Sequence, residues 1–154
     1  MEHTYDLTVT WTGNRGEGTT GIKDYDRDHL IAAEGHEDIV GTADPGYLGD
    51  PTKWNPEQLF TAAIAQCHML WYLGLCSRRG VVVHEYVDAA VGTMVAETNG
   101  KARFTQVVLR PRIVVGAEDQ VEAATTLHDK AHEMCFIAQS VSFPVTVEPE
   151  ITVR

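Results

Sequence analysis

The chain has 154 residues, 44% of them apolar and 22% charged, which is the make-up of an ordinary globular protein and a length that fits one domain, 1–154. Its formal net charge of −10 opposes binding to nucleic acid or to an anionic membrane surface. Three cysteines are too few for a disulfide scaffold at this size, so the thiols are expected to be reduced in a cytoplasmic setting, with any disulfide transient and catalytic.

Met1-Glu2-His3 leads straight into a strand pattern, with no sign of a targeting leader. Residues 5–11 alternate and predict a strand. The run Gly13-Asn14-Arg15-Gly16-Glu17-Gly18 reads as a turn, with 19–25 expected to return as the hairpin partner and 29–32 as a third short strand. Residues 34–53, rich in Gly, Asp and Pro, read as a long loop, and a loop of that length in a compact domain is more often functional than idle.

The next stretch, 54–76, is the element the rest is arranged around. Asn55 suits an N-cap, Pro56 the first helical position and Gln58 the partner of a capping box. Arg78 and Arg79 suit the last turn, and Gly80 the residue past it. Between these ends the helix is apolar on nearly every face, so it is expected to be buried, by a sheet wrapped around it or by a second copy of itself. Its length approaches that of a membrane span, but Gln66, Cys67, His68 and the charged ends argue against one.

Residues 81–89, 90–96 and 104–115 read as strands, the last two joined by the turn Thr98-Asn99-Gly100-Lys101. Residues 118–134 predict a second helix with Val121, Ala124, Leu127, Ala131 and Met134 on one face, and 145–153 a closing strand. The sum is an α+β arrangement.

Two cysteines invite chemistry: Cys67 in mid-helix and Cys135 at the end of the second helical stretch. A thiolate is the reactive form, and a neighbouring arginine held by an acid would lower the pKa of its thiol. Glu57 is such an acid, but ten residues of helix place it about 15 Å from Cys67. It therefore acts at longer range through an arginine, or it meets the cysteine of a partner chain. Cys76 reads as core. His68 reads as packed or as a wall of the site, and His29, His36, His84 and His128 as surface or loop residues. Cys67, His68, His132 and Cys135 could be grouped as metal ligands, but adjacent helical residues diverge by about 100°, which is poor geometry for one ion. No phosphate-binding glycine loop and no serine nucleophile elbow is present.

Asn55-Pro56-Glu57-Gln58-Leu59-Phe60, Ala65-Gln66-Cys67-His68 and Ala131-His132-Glu133-Met134-Cys135-Phe136-Ile137-Ala138 together resemble the OsmC/Ohr family of osmotically induced and organic hydroperoxide resistance proteins. The resemblance runs over nearly the whole chain. It implies an interlocked homodimer in which mixed sheets wrap long buried central helices, with active sites at the dimer interface and no cofactor. It also implies a thiol-dependent reduction of organic hydroperoxides. Cys67 would be the peroxidatic cysteine, and Cys135 would resolve its sulfenic acid as an intramolecular disulfide, later reduced by an external dithiol such as a lipoyl group. Glu57 matches the family acid that pairs with an arginine; Arg15, in the first hairpin, matches the place of that arginine, and Arg27, on the next strand, is the substitute for it. His68 after Cys67, and Phe136 after Cys135, depart from the hydroperoxide-resistance pattern and point to an OsmC-like side branch, which leaves the substrate open. The alternatives are a non-catalytic, small-molecule-binding dimer of the same fold and a metal-binding protein.

Overall fold

The computed structural model describes all 154 residues, Met1–Arg154, and the chain divides into two compact units, Met1–Leu59 and Phe60–Arg154. The first unit holds an antiparallel sheet in the order β1 (Thr8–Trp11), β2 (His29–Ala32), β3 (Ile39–Gly41). Thr8 faces Ala32 and Trp11 faces His29. The partner of β1 is therefore β2, and not residues 19–25, which form turns and bends. Asn14 sets that outcome: its side-chain oxygen accepts from the amides of Gly16 and Gly18, both at positive φ, and so curls the chain instead of extending it. Trp11 seals the base of the excursion through its indole N–H to the Asp26 carbonyl, 2.8 Å. At Gly13 a Cβ would stand 1.9 Å from that same carbonyl oxygen, so only glycine fits.

The stretch 34–53 is likewise more ordered than a loop. Ile39-Val40-Gly41 adds a strand to β2, Asp44 caps a short 3-10 turn at Pro45–Tyr47, and Lys53 bridges Asp28 and Asp50 at 2.6 and 3.2 Å.

Helix α1 spans Pro56–Arg78. Its start is a complete capping box: Asn55 Oδ1 accepts the Gln58 amide at 2.9 Å, and Gln58 Oε1 accepts the Asn55 amide at 3.2 Å. Its end is sealed by Gly80 at φ +73°, which lets the Val81 amide reach back to the Cys76 carbonyl at 2.9 Å. By length and composition α1 could cross a membrane. Within one chain it buries a single stripe, Ile64, His68, Tyr72 and Cys76, at the four-residue spacing of one helix face. The expectation of burial on all sides is not met by one copy: Leu70 is 63% exposed.

The second unit also carries two three-stranded sheets: β5 (Val91–Ala96), β6 (Ala102–Leu109) and β8 (Val145–Val147); and β4 (Val83–Asp88), β7 (Pro111–Val115) and β9 (Glu150–Val153). In each, the first pairing is antiparallel and the second parallel. The two sheets are continuations of the same chain segments, broken at one level. The segments 104–115 and 145–153, expected as unbroken strands, are each interrupted beside a proline, Pro111 and Pro149, which has no N–H to give to a ladder. At the break the Arg110 amide donates to Asp88 Oδ1 at 2.7 Å and the Glu148 amide to the Leu109 carbonyl at 2.9 Å.

Helix α2 (Val121–Met134), entered through a 3-10 turn at Glu118–Gln120, buries Ala124, Leu127, His128 and Ala131. One core cluster joins Tyr72 and Cys76 of α1 to Val81, Ile113, Val115 and the apolar face of α2. A second joins Ile64, Val107, Leu109, Cys135, Ala138 and Val145.

Candidate active site

The second cluster brings the two cysteines together. Cys67, on the flank of the α1 stripe, is half-buried and packs against the group that contains Cys135. Cys135 is the residue that ends α2: its backbone leaves the helix for an extended conformation at ψ 104°, which turns the side chain inward to full burial. All three cysteines are free thiols.

The Cys135 sulfur lies 4.0 Å from the Ile64 carbonyl, to which its S–H donates, and accepts the Ala138 amide at 3.4 Å. Burial pushes this thiol up to about 11; the Ala138 amide opposes the rise, and contact with the Cys67 thiol adds to it. Cys135 is therefore protonated at neutral pH. Cys76 is buried beside Tyr72, and burial raises its thiol as well, consistent with a core residue.

The three other expected residues lie in the first unit. Glu57 is half-buried in the first turn of α1, where the helix dipole favours a carboxylate. The Arg15 guanidinium donates to the Lys23 carbonyl and lies 3.8 Å from Asp26. Arg27 donates to the Tyr25 and Ile22 carbonyls at 2.6 and 2.7 Å and stacks over the Tyr25 ring, 4.1 Å from its centre. Of the two, Arg27 is the more firmly held.

His128, expected at the surface, is instead 3% exposed. Its Nδ1 meets His68 Nε2 at 2.9 Å, and Tyr72 stacks on its ring at 3.9 Å. A signal for this burial was present, since residue 128 falls on the same helix face as Ala124, Leu127 and Ala131. Both imidazoles are held neutral. Burial, reinforced by His132, lowers His68 to about 4; burial, reinforced by His68, lowers His128 to about 3. His68 Nδ1 and His128 Nε2 are buried with no hydrogen-bond partner. His68 thus spends a nitrogen on His128 instead of converging with the thiols, and no three His, Cys, Asp or Glu side chains are arranged to hold a metal ion.

Comparison with known proteins agrees with this architecture. Residues 49–150 match the family model described as OsmC-like protein. An OsmC-like protein of unknown function from Vibrio cholerae is 32% identical, with a TM-score of 0.86 over 97% of this chain and 100% of that one. An organic hydroperoxide resistance protein from Elizabethkingia anophelis, 20% identical, shares the fold at a TM-score of 0.68 over 100% of both chains. The Bacillus subtilis protein YmaD, itself uncharacterized, is 23% identical over 99% of this chain and 96% of its own length.

Proposed function

Because this chain belongs to the OsmC-like protein family, we propose that it is a thiol-dependent peroxidase that reduces organic hydroperoxides to alcohols. One observation carries the reading. A half-buried thiol on α1 and a fully buried thiol at the end of α2 adjoin, both reduced, inside an apolar cluster suited to a greasy substrate.

In the first step the Cys67 thiolate attacks a peroxide oxygen. The O–O bond breaks, the alkoxide takes up a proton and leaves as the alcohol, and Cys67 becomes a sulfenic acid. In the second, the Cys135 sulfur attacks the Cys67 sulfur as it gives up its proton. The S–O bond breaks, hydroxide leaves with that proton as water, and a Cys67–Cys135 disulfide forms. The Ala138 amide is placed to stabilise the negative charge that develops on Cys135. An external dithiol, such as a lipoyl group, then takes the oxidising equivalents and returns both thiols.

Glu57, with an arginine, Arg15 or Arg27, supplies the charged part of the Cys67 site. About 15 Å of helix between Glu57 and Cys67 favours a site completed by a second copy of the chain. Exposed Leu70, Phe136 and Ile137 supply apolar surface for such a homodimer. The setting is cytoplasmic, where dithiol reductants are available.

The test is peroxidase kinetics with an alkyl hydroperoxide against hydrogen peroxide, driven by a lipoyl dithiol and then by a monothiol. Wild type should consume the alkyl hydroperoxide with the dithiol, and a folded Cys67→Ser variant should not. Equal rates from the two proteins would leave a small-molecule-binding dimer of the same fold as the better description.

A further inference from the structure

The two helices that lead to the thiols meet along an antiparallel seam with three polar contacts, made from positions four residues apart on α1. Ile64 offers its carbonyl to the Cys135 thiol at 4.0 Å. One turn on, His68 Nε2 meets His128 Nδ1 at 2.9 Å. A further turn on, the Tyr72 hydroxyl donates to the Ala124 carbonyl at 3.0 Å. Positions 64, 68 and 72 ascend α1 while 135, 128 and 124 descend α2, so the set fixes how far one helix has slid along the other.

The middle contact is the most demanding. Two imidazoles, 1% and 3% exposed, each have one nitrogen satisfied only by the other ring and one buried nitrogen with no partner. Their rings lie within 3° of parallel. An apolar pair would fill the seam equally well, and buried polar pairs find their best-attested use in specifying register. A slide of one helical turn would separate the imidazoles and move Cys135 by about 5.4 Å along α1. A disulfide requires Cα atoms roughly 4.4–6.8 Å apart, so a slide of that size would carry Cys135 out of range of Cys67. His68 directly follows Cys67, and His128 lies seven residues, close to two full turns, before Cys135 on the same face.

We propose that His68 and His128 are positioning residues for disulfide closure: their mutual hydrogen bond locks the α1–α2 register in which the Cys135 sulfur can reach Cys67. The proposal rests on the peroxidase reading for its place in a catalytic cycle, and on the seam alone for its geometry. The step it governs is Cys67–SOH + HS–Cys135 → Cys67–S–S–Cys135 + H2O.

The experiment follows closure by thiol titration and peptide mapping, with tert-butyl hydroperoxide as one oxidant and diamide as the other, alongside dimedone trapping of the sulfenic acid. His128→Phe keeps a ring over Tyr72 but removes the nitrogen; His128→Asn keeps a polar atom where Nδ1 stood. His128→Phe should close the disulfide about tenfold more slowly or worse with either oxidant, while still forming the dimedone adduct, and His128→Asn should return to within about threefold of wild type. If His128→Phe does not fold, His68→Gln, which keeps a polar atom near Nε2, and His68→Met are compared in the same way. Closure at the wild-type rate in the apolar variant, or an amide variant as slow as the apolar one, overturns the proposal. Absence of any dimedone adduct in peroxide-treated wild type would sink the peroxidase reading instead, and the diamide rates would still decide whether the imidazoles set the register.

Discussion

Cys135 combines full burial with a thiol pushed up to about 11, so in the resting protein it is a poor nucleophile until it faces an electrophilic sulfur. Replacing it should separate the two chemical steps. Cys135→Ser is expected to react once with an alkyl hydroperoxide, to accumulate a dimedone-reactive sulfenic acid at Cys67, and to lose turnover with a dithiol. Mass spectrometry of the adduct checks this. The imidazole pair makes a second prediction. His68 and His128 have folded values of about 4 and 3 against an ordinary 6.5. Between those values the unfolded chain binds more protons than the folded one. The neutral pair is therefore no burden above pH 6.5, and stability falls as pH drops from there toward 4. The slope approaches about 1.4 kcal/mol per pH unit for each imidazole. The groups around the pair are His132 on α2, Tyr72 on α1 and, beyond Tyr72, Tyr86 on β4. None of them is a carboxylate that could hold the pair protonated. Denaturant unfolding from pH 7 to pH 4 should show this loss, and His68→Gln should flatten it.

Among the elements, α1 was the most legible because its signals are local. Asn55, Pro56 and Gln58 specify its start within four residues, and Gly80 its end. Asn55→Ala should remove the bond from the Gln58 amide to Asn55 Oδ1, leave the backbone amide of residue 55 free to keep its bond to Gln58 Oε1, and lower stability by about 1 kcal/mol, read from the shift of the denaturant midpoint at constant slope. What the sequence concealed is what depends on distant partners. The expected hairpin after β1 differs from the structure because the turn at Gly13–Gly18 suggests a return at 19–25, whereas the side-chain cap from Asn14 curls the chain there. Strand β3 has only Ile39, Val40 and Gly41, too few for a period to show. The break at Pro111 and Pro149 was hidden by an apolar pattern that runs straight through both residues. His128 looked like a solvent-facing histidine because its partner, His68, is 60 residues away in the chain. For the site, the sequence named the two thiols that the structure places side by side. It did not name the imidazole pair between the same two helices.

For the whole molecule, the homodimer proposed above would cover exposed apolar residues of one copy. Leu70 and Phe136 are 63% and 65% exposed, and the proposal predicts that a second copy removes both from water. Sedimentation should give a dimer, and Leu70→Glu should shift it toward monomer. A net charge of −10 carried by each copy adds a mutual repulsion that salt screens, so dimer affinity should rise as ionic strength increases. The break that splits each long strand has a further result. Strands β8 and β9 each pair in parallel, with β6 and β7, and α2 lies on the only covalent route between the partners in both pairs. The helix that Cys135 caps is thus also the hinge pin of both sheets. Loosening its final turn, as disulfide closure at Cys135 would, should quicken deuterium uptake by the amides of Val145–Val147 and Glu150–Val153, making those strands remote reporters of the redox state.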